Sequence, residues 1–178
     1  PLYTVDDAKG AAACFRPCRY GECVTIADGL RVRFSDIGHL LGSACIEFWL
    51  REDGTEKKIV FSGDVGNIDQ PILNDPLPVA ETDYLVVEST YGNRLHDKPK
   101  DVRAELTEVL QRAFDRGGSV IIPAFAVGRT QELLYLLREI KQKKLVHGHD
   151  GFPVYLDSPL AEEATSVFLQ CDTDCFDP

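Results

Sequence analysis

The spacing of apolar residues changes once along this chain, near residue 92, and a chain with two such halves has few folds open to it. From Cys23 to Phe34 the residues Val24, Ile26, Leu30, Val32 and Phe34 alternate with polar ones around Asp28-Gly29, the pattern of two strands joined by a tight turn. Ala44 to Leu50 and Lys58 to Phe61 repeat it around Glu52-Asp53-Gly54-Thr55, and Tyr84 to Val87 adds a short apolar run, so residues 20 to 90 read mostly as strand. Beyond Gly92 the period becomes helical: Val102, Leu106, Val109, Leu110, Ala113 and Phe114 lie on one face of a helix over Lys100 to Arg116 that stops at Gly117-Gly118. A buried strand over Ser119 to Pro123, a second helix over Thr130 to Lys143 and a strand over Pro153 to Leu156 follow. Ser158 is then a good N-cap, with Pro159 at the first helical position. Alternation of this kind predicts right-handed crossovers and a parallel sheet. The expected class is mixed α/β, with a β-rich unit over 1–92 and an α/β unit over 93–178.

A hydrophobic fraction of 44% with 27% charged residues is that of a folded globular chain. The net charge of -10 argues against broad attraction to a polyanion, so a nucleic acid would need a local basic groove or a bound metal. No run of 18 apolar residues and no signal-like start occurs, which predicts no membrane association and a cytoplasmic setting. The chain starts at Pro1 and stops in Asp-rich sequence, so the expectation is an internal piece of a longer protein. Cys14, Cys18, Cys23, Cys45, Cys171 and Cys175 are spaced too irregularly for paired zinc knuckles, and are expected to be free thiols.

Three polar groups follow probable strands and stand close to glycines: His39 in Gly38-His39-Leu40-Leu41-Gly42-Ser43-Ala44, Asp64 in Phe61-Ser62-Gly63-Asp64-Val65-Gly66, and Glu88 in Glu88-Ser89-Thr90-Tyr91-Gly92. Taken singly, each has an ordinary reading as a turn histidine, a turn aspartate or a strand-end cap. Together they are an imidazole and two carboxylates at strand ends, the donor types that bind a hard or borderline cation and move protons.

With Ala124 to Glu132 (AFAVGRTQE) and Asp157 to Ala161 (DSPLA) downstream, these strings resemble the metallo-β-lactamase-fold nucleases with a β-CASP insertion, a family that includes the mRNA 3′-end cleavage endonuclease and bacterial and archaeal relatives. The match runs from about residue 30 to 162. The resemblance implies part of a metallo-β-lactamase αββα sandwich followed by the first half of a parallel β-CASP α/β domain. It implies that His39 is a zinc ligand and that Asp64 bridges two zinc ions. Glu88 then falls among the catalytic residues, orienting a histidine that acts as general acid. The form ESTYG is similar to the RNA-processing branch, which implies an RNA substrate. A homodimer or an RNA-processing complex is the implied assembly.

Phosphodiester hydrolysis needs a strong nucleophile near neutral pH and neutralisation of phosphate charge, which two zinc ions supply. The family's HxHxDH motif normally precedes the His39 motif, and no histidine stands before His39 here. The two later histidine motifs of the family have no match either. These departures imply a chain that is inactive and binds zinc weakly by itself. His147-Gly148-His149-Asp150 reads as a solvated loop, and His96 as a water-facing connector residue. Arg129 at the start of the second helix and Ser158 are expected substrate contacts, while Lys141, Lys143 and Lys144 need no role beyond facing the helix dipole. Two other functions remain open: a metal-free scaffold subunit of an RNA-processing complex, and a metallohydrolase of small molecules.

Overall fold

Both Asp-Gly turns close hairpins, as the alternation predicts. The computed structural model describes residues 2–95, 101–171 and 176. Strands β1 (Cys23–Ala27) and β2 (Leu30–Asp36) pair antiparallel around Asp28-Gly29. Gly29 has φ +70°, and a Cβ there would stand 2.5 Å from the Arg51 carbonyl oxygen, so only glycine fits this turn. β3 (Ala44–Glu52) pairs with β2 from Leu30↔Leu50 to Asp36↔Ala44, and with β4 (Thr55–Phe61) from Ile46↔Phe61 to Glu52↔Thr55. Asp53 and Gly54 both adopt positive φ, which matches the twist of the flanking strands. β5 (Tyr84–Val86) adds in parallel to β4, giving the order β1-β2-β3-β4-β5.

The register sorts the side chains onto two faces. Val32, Phe48 and Ile59 face one way, and Phe48 meets Phe61 edge-on at 5.8 Å between ring centroids. The other face carries the buried cluster Ile37, Cys45 and Val60, against which Val79 packs. It also carries Glu47, which is 1% exposed. Arg33 grips the Glu47 carboxylate with Nε and Nη2, both at 2.8 Å, while Lys58 Nζ approaches to 2.7 Å and the Ser35 hydroxyl donates at 2.8 Å. Trp49 lies beside this cluster, with the Arg33, Arg31 and Lys58 cations 5.2, 5.6 and 5.3 Å from its ring centre.

Four helices complete the described residues. α1 (Val5–Ala13) went unread in the sequence, although Thr4 and Asp7 form a reciprocal capping box at its start. α2 (Val102–Phe114) starts at an Asp101 cap and ends where Gly117, φ +69°, and Gly118 donate back to Phe114 and Ala113. α3 (Arg129–Gln142) and α4 (Pro159–Gln170) begin within a residue of their predicted starts. Leu110 of α2 and Leu137 and Ile140 of α3 form a second core with Val146 and Phe152. No helix among the described residues is long and apolar enough to cross a membrane. Cys14, Cys18, Cys23, Cys45 and Cys171 carry free thiols, and Cys175 lies outside the described residues.

The strands expected over Ser119 to Pro123 and Pro153 to Leu156 do not form; neither stretch is hydrogen-bonded as a strand. Among the described residues the parallel pairing is β4 with β5. Apolar, β-branched composition favours an extended run, but a strand exists only when a neighbour takes its backbone N–H and C=O groups. The two stretches instead line a cavity of about 1050 Å³ beside α2 and α3. The mixed α/β class stands.

Candidate functional site

β2 releases the chain at Asp36, whose carboxylate accepts the Gly38 N–H at 2.9 Å. Gly38 takes φ +65°, and a Cβ there would meet the Asn74 carbonyl oxygen at 2.8 Å, so the turn before His39 requires glycine. Ser43 fixes the next turn: its hydroxyl oxygen accepts the N–H groups of His39 and Leu40, each at 3.1 Å, and its own N–H donates to the Leu40 carbonyl at 2.9 Å. The Tyr20 hydroxyl donates to the Ser43 carbonyl at 2.7 Å and braces the turn from outside.

The Asp64 loop leaves β4 and is fastened to both neighbours. Ser62 N–H donates to the Val86 carbonyl, and Gly66 N–H donates to the Ile37 carbonyl, both at 2.9 Å. A Cβ on Gly66 would collide with the Gly38 carbonyl, so the two loops touch backbone to backbone. Glu88, just past β5, closes the group. Its Oε1 accepts the Val65 N–H and its Oε2 the Thr90 hydroxyl, both at 2.6 Å, while its own N–H donates to the Ser62 hydroxyl at 3.1 Å.

Three loops at one end of the sheet thus bring together His39, Asp64 and Glu88. His39 Nε2 faces Asp64 Oδ2 at 3.9 Å, too far for a hydrogen bond, with the two side chains 41% and 76% exposed. The Thr90 hydroxyl, then the Val65 amide, hold Glu88 below the usual glutamate range, and His39 adds a smaller pull in the same direction. Glu88 is therefore a fixed, ionised carboxylate that accepts hydrogen bonds.

Two donors bound to one tetrahedral zinc at roughly 2.0–2.1 Å each stand about 3.4 Å apart, so His39 and Asp64 could share an ion after closing by about half an ångström. A catalytic zinc takes three protein ligands. Among the described residues no three His, Cys, Asp or Glu side chains converge as a ligand set. These residues supply a pair of donors and do not by themselves fit a catalytic zinc.

The other expected contacts have partners of their own. Arg129 opens α3, 67% exposed, and pairs with Glu132 at 2.8 Å. Ser158 caps α4, its hydroxyl oxygen accepting the Ala161 N–H at 3.2 Å, which gives it a structural task. Lys141 Nζ donates to the Phe152 carbonyl, Lys143 pairs with Glu139 and Lys144 with Asp150. The His147 to Asp150 segment is more than a solvated loop: His149 Nε2 lies 3.1 Å from Asp115 Oδ1, and Gln111 holds the His147 backbone from both sides. His96 lies outside the described residues.

Sequence reasoning missed the polar residues that hold the site in place. Ser43, Ser62 and Thr90 all sit inside the three motif strings, but their role is to accept or donate specific hydrogen bonds, which spacing does not disclose. Gln131 and Thr130 belong to the same class: both are buried and tie down the turn before α3 through the carbonyls of Ala126 and Phe125.

Residues 130–177 match the model of the Beta-Casp domain. The chain is 36% identical over 170 residues to a ribonuclease of Thermus thermophilus, covering 94% of this chain and 37% of that protein. It is 35% identical over 171 residues to an RNase J-like protein of Methanocaldococcus jannaschii, covering 94% of this chain and 38% of the relative. Against cleavage and polyadenylation specificity factor 73 of Drosophila melanogaster it is 35% identical over 171 residues, covering 94% of this chain and 24% of that protein. The chain thus spans little more than a third of the length of the first two relatives.

Proposed function

From the premise that this chain belongs to the metallo-β-lactamase-fold β-CASP family, we propose that it is part of an RNA phosphodiester hydrolase. In this reading His39 and Asp64 are two ligands of a dinuclear zinc centre, whose remaining ligands are not among the described residues. Glu88 is the carboxylate that orients the acid protonating the leaving oxygen. Its ionised state, held by Thr90 and Val65, suits it to accept a hydrogen bond from that acid. Arg129 supplies a guanidinium for a substrate phosphate.

The observation that carries this reading is the convergence of His39, Asp64 and Glu88 from the ends of β2, β4 and β5 onto one cluster of bolted loops. Scattered turn residues would have no reason to be tied to one another in this way. Relatives named as a ribonuclease and as an RNase J-like protein favour RNA over small esters.

The test is cleavage of a labelled RNA by the full-length protein that contains this chain. Cleavage abolished by a chelator, by His39→Ala and by Asp64→Asn is the expected result. RNA binding without cleavage would turn the reading to a scaffold, and turnover of small esters with RNA left intact would turn it to a small-molecule hydrolase. The 178-residue chain assayed alone is expected to be inactive and to bind zinc weakly.

A further inference from the structure

Leu40 shares a turn with His39 and reaches the loop that opens α3. Gly128, the residue before that helix, is buried with φ +82°. A Cβ built on it would stand 2.5 Å from Leu40 Cδ2. The leucine methyl therefore lies against the backbone of Gly128, the cap before α3, which offers no side chain. A leucine can rotate away from a new methyl group, so the firmer bar to a side chain at 128 is the backbone conformation itself.

Both sides of this contact are rigidly held. Ser43 fixes Leu40 and His39 together, because one hydroxyl oxygen accepts both of their N–H groups. On the other side Gly128 N–H donates to Gln131 Oε1 at 2.8 Å, and Gln131 Nε2 donates to the Ala126 carbonyl at 3.1 Å and to Thr165 of α4 at 3.0 Å. The Thr130 hydroxyl donates to the Phe125 carbonyl at 2.7 Å. Buried polar groups with every partner in place specify one geometry, since any shift leaves a donor or acceptor unpaired. The Leu40 side chain therefore bears on a start of α3 that is held in one geometry.

We infer that Leu40 is a positioning residue: by seating on Gly128 it sets Arg129 relative to the His39–Asp64 pair, so that the phosphate contact and the ligand pair move as one body. What that body does rests on the proposed hydrolase reading; the seat itself does not. Arg129 follows Gly128 directly and projects its guanidinium to solvent. Its position over a substrate is governed by the same turn that Leu40 touches.

The test has two arms. In the full-length protein, RNA cleavage is measured for Leu40→Ala, Arg129→Ala, the double variant and the volume-keeping Leu40→Met. Arg129→Ala is expected to raise KM roughly tenfold, Leu40→Ala to do nearly the same, and the double variant to cost no more than Arg129→Ala alone. Leu40→Met should stay within about twofold of the parent. Losses that multiply, or a KM unmoved by Leu40→Ala, would overturn the inference. In the second arm, amide hydrogen exchange of the 178-residue chain is expected to quicken at Gly128 on Leu40→Ala and to stay unchanged at Val65. Unchanged exchange at Gly128 overturns the seat. If the full-length protein cleaves no RNA, the proposed function fails while the exchange arm still decides this inference.

Discussion

Glu47 is an acidic residue in the middle of an apolar strand, and its ionisation state is set by its neighbours. Burial alone would raise its pKa, but the hydrogen bonds from Arg33, Lys58 and Ser35 outweigh burial and bring it down to about 2. Because the folded value lies below the ordinary 4.5, the stabilisation is fully present above that pH and is lost as pH falls towards 2. Thermal melting of the parent should fall across that window, and Glu47→Gln should flatten the slope. At neutral pH the same substitution leaves Arg33 and Lys58 without their anion. It should cost about 2–3 kcal/mol by chemical denaturation, below the roughly 3–5 for a fully buried pair because Arg33 reaches water. Thr90 gives a second prediction: Thr90→Val removes the largest influence on Glu88, so its carboxyl should titrate at higher pH, measurable by carboxyl carbon NMR. Neither effect was legible in the strings themselves. Ile46-Glu47-Phe48 shows only that a polar residue alternates with apolar ones, and the register with Arg33 is what identifies its partner.

At the scale of elements, local chemistry was readable wherever it acts within a few residues. Asp28-Gly29, Asp53-Gly54, Gly117-Gly118 and Ser158-Pro159 each stand at the turn, stop or cap that their residue types demand. Thr4 and Asp7 carried an equally local signal, and α1 was nonetheless missed because none of its residues is buried and its apolar stripe is short. The stretches at 119–123 and 153–156 went the other way: their apolar runs are strand-like, but pairing depends on what lies beside them in space. Ser158 separates a structural role from a binding one. Ser158→Ala should lower stability by about 1 kcal/mol and Ser158→Asp should restore it, since either oxygen can accept the Ala161 N–H. Urea denaturation followed by helical circular dichroism decides this, and equal stability in all three proteins would mean that the cap contributes nothing.

For the whole molecule the open question is whether the change of periodicity near residue 92 is also a boundary of folding. Two separate cores speak for it: Ile37, Cys45 and Val60 on the sheet, and Leu110, Leu137, Ile140, Val146 and Phe152 among the helices. Among the described residues, the Leu40 seat on Gly128 and an antiparallel bridge between Leu73 and Phe176 cross the line. A pair of small contacts couples two units less strongly than a shared core, whose loss would unfold both. Val60 and Ile140 are each 0% exposed, one in either core. Truncating Ile140 to alanine should cost about 2–5 kcal/mol and Val60 to alanine somewhat less, because fewer methyl groups are removed. Calorimetry of the chain should then resolve two transitions, with Val60→Ala lowering one and Ile140→Ala the other. Adding Leu40→Ala should leave both midpoints nearly in place while loosening the start of α3, because the seat aligns the two units without holding either core together. A single transition moved by both core substitutions would instead make the chain one cooperative body. The three loops and the α3 turn would then be positioned by the entire fold, and Leu40 would have no separate part in aligning them.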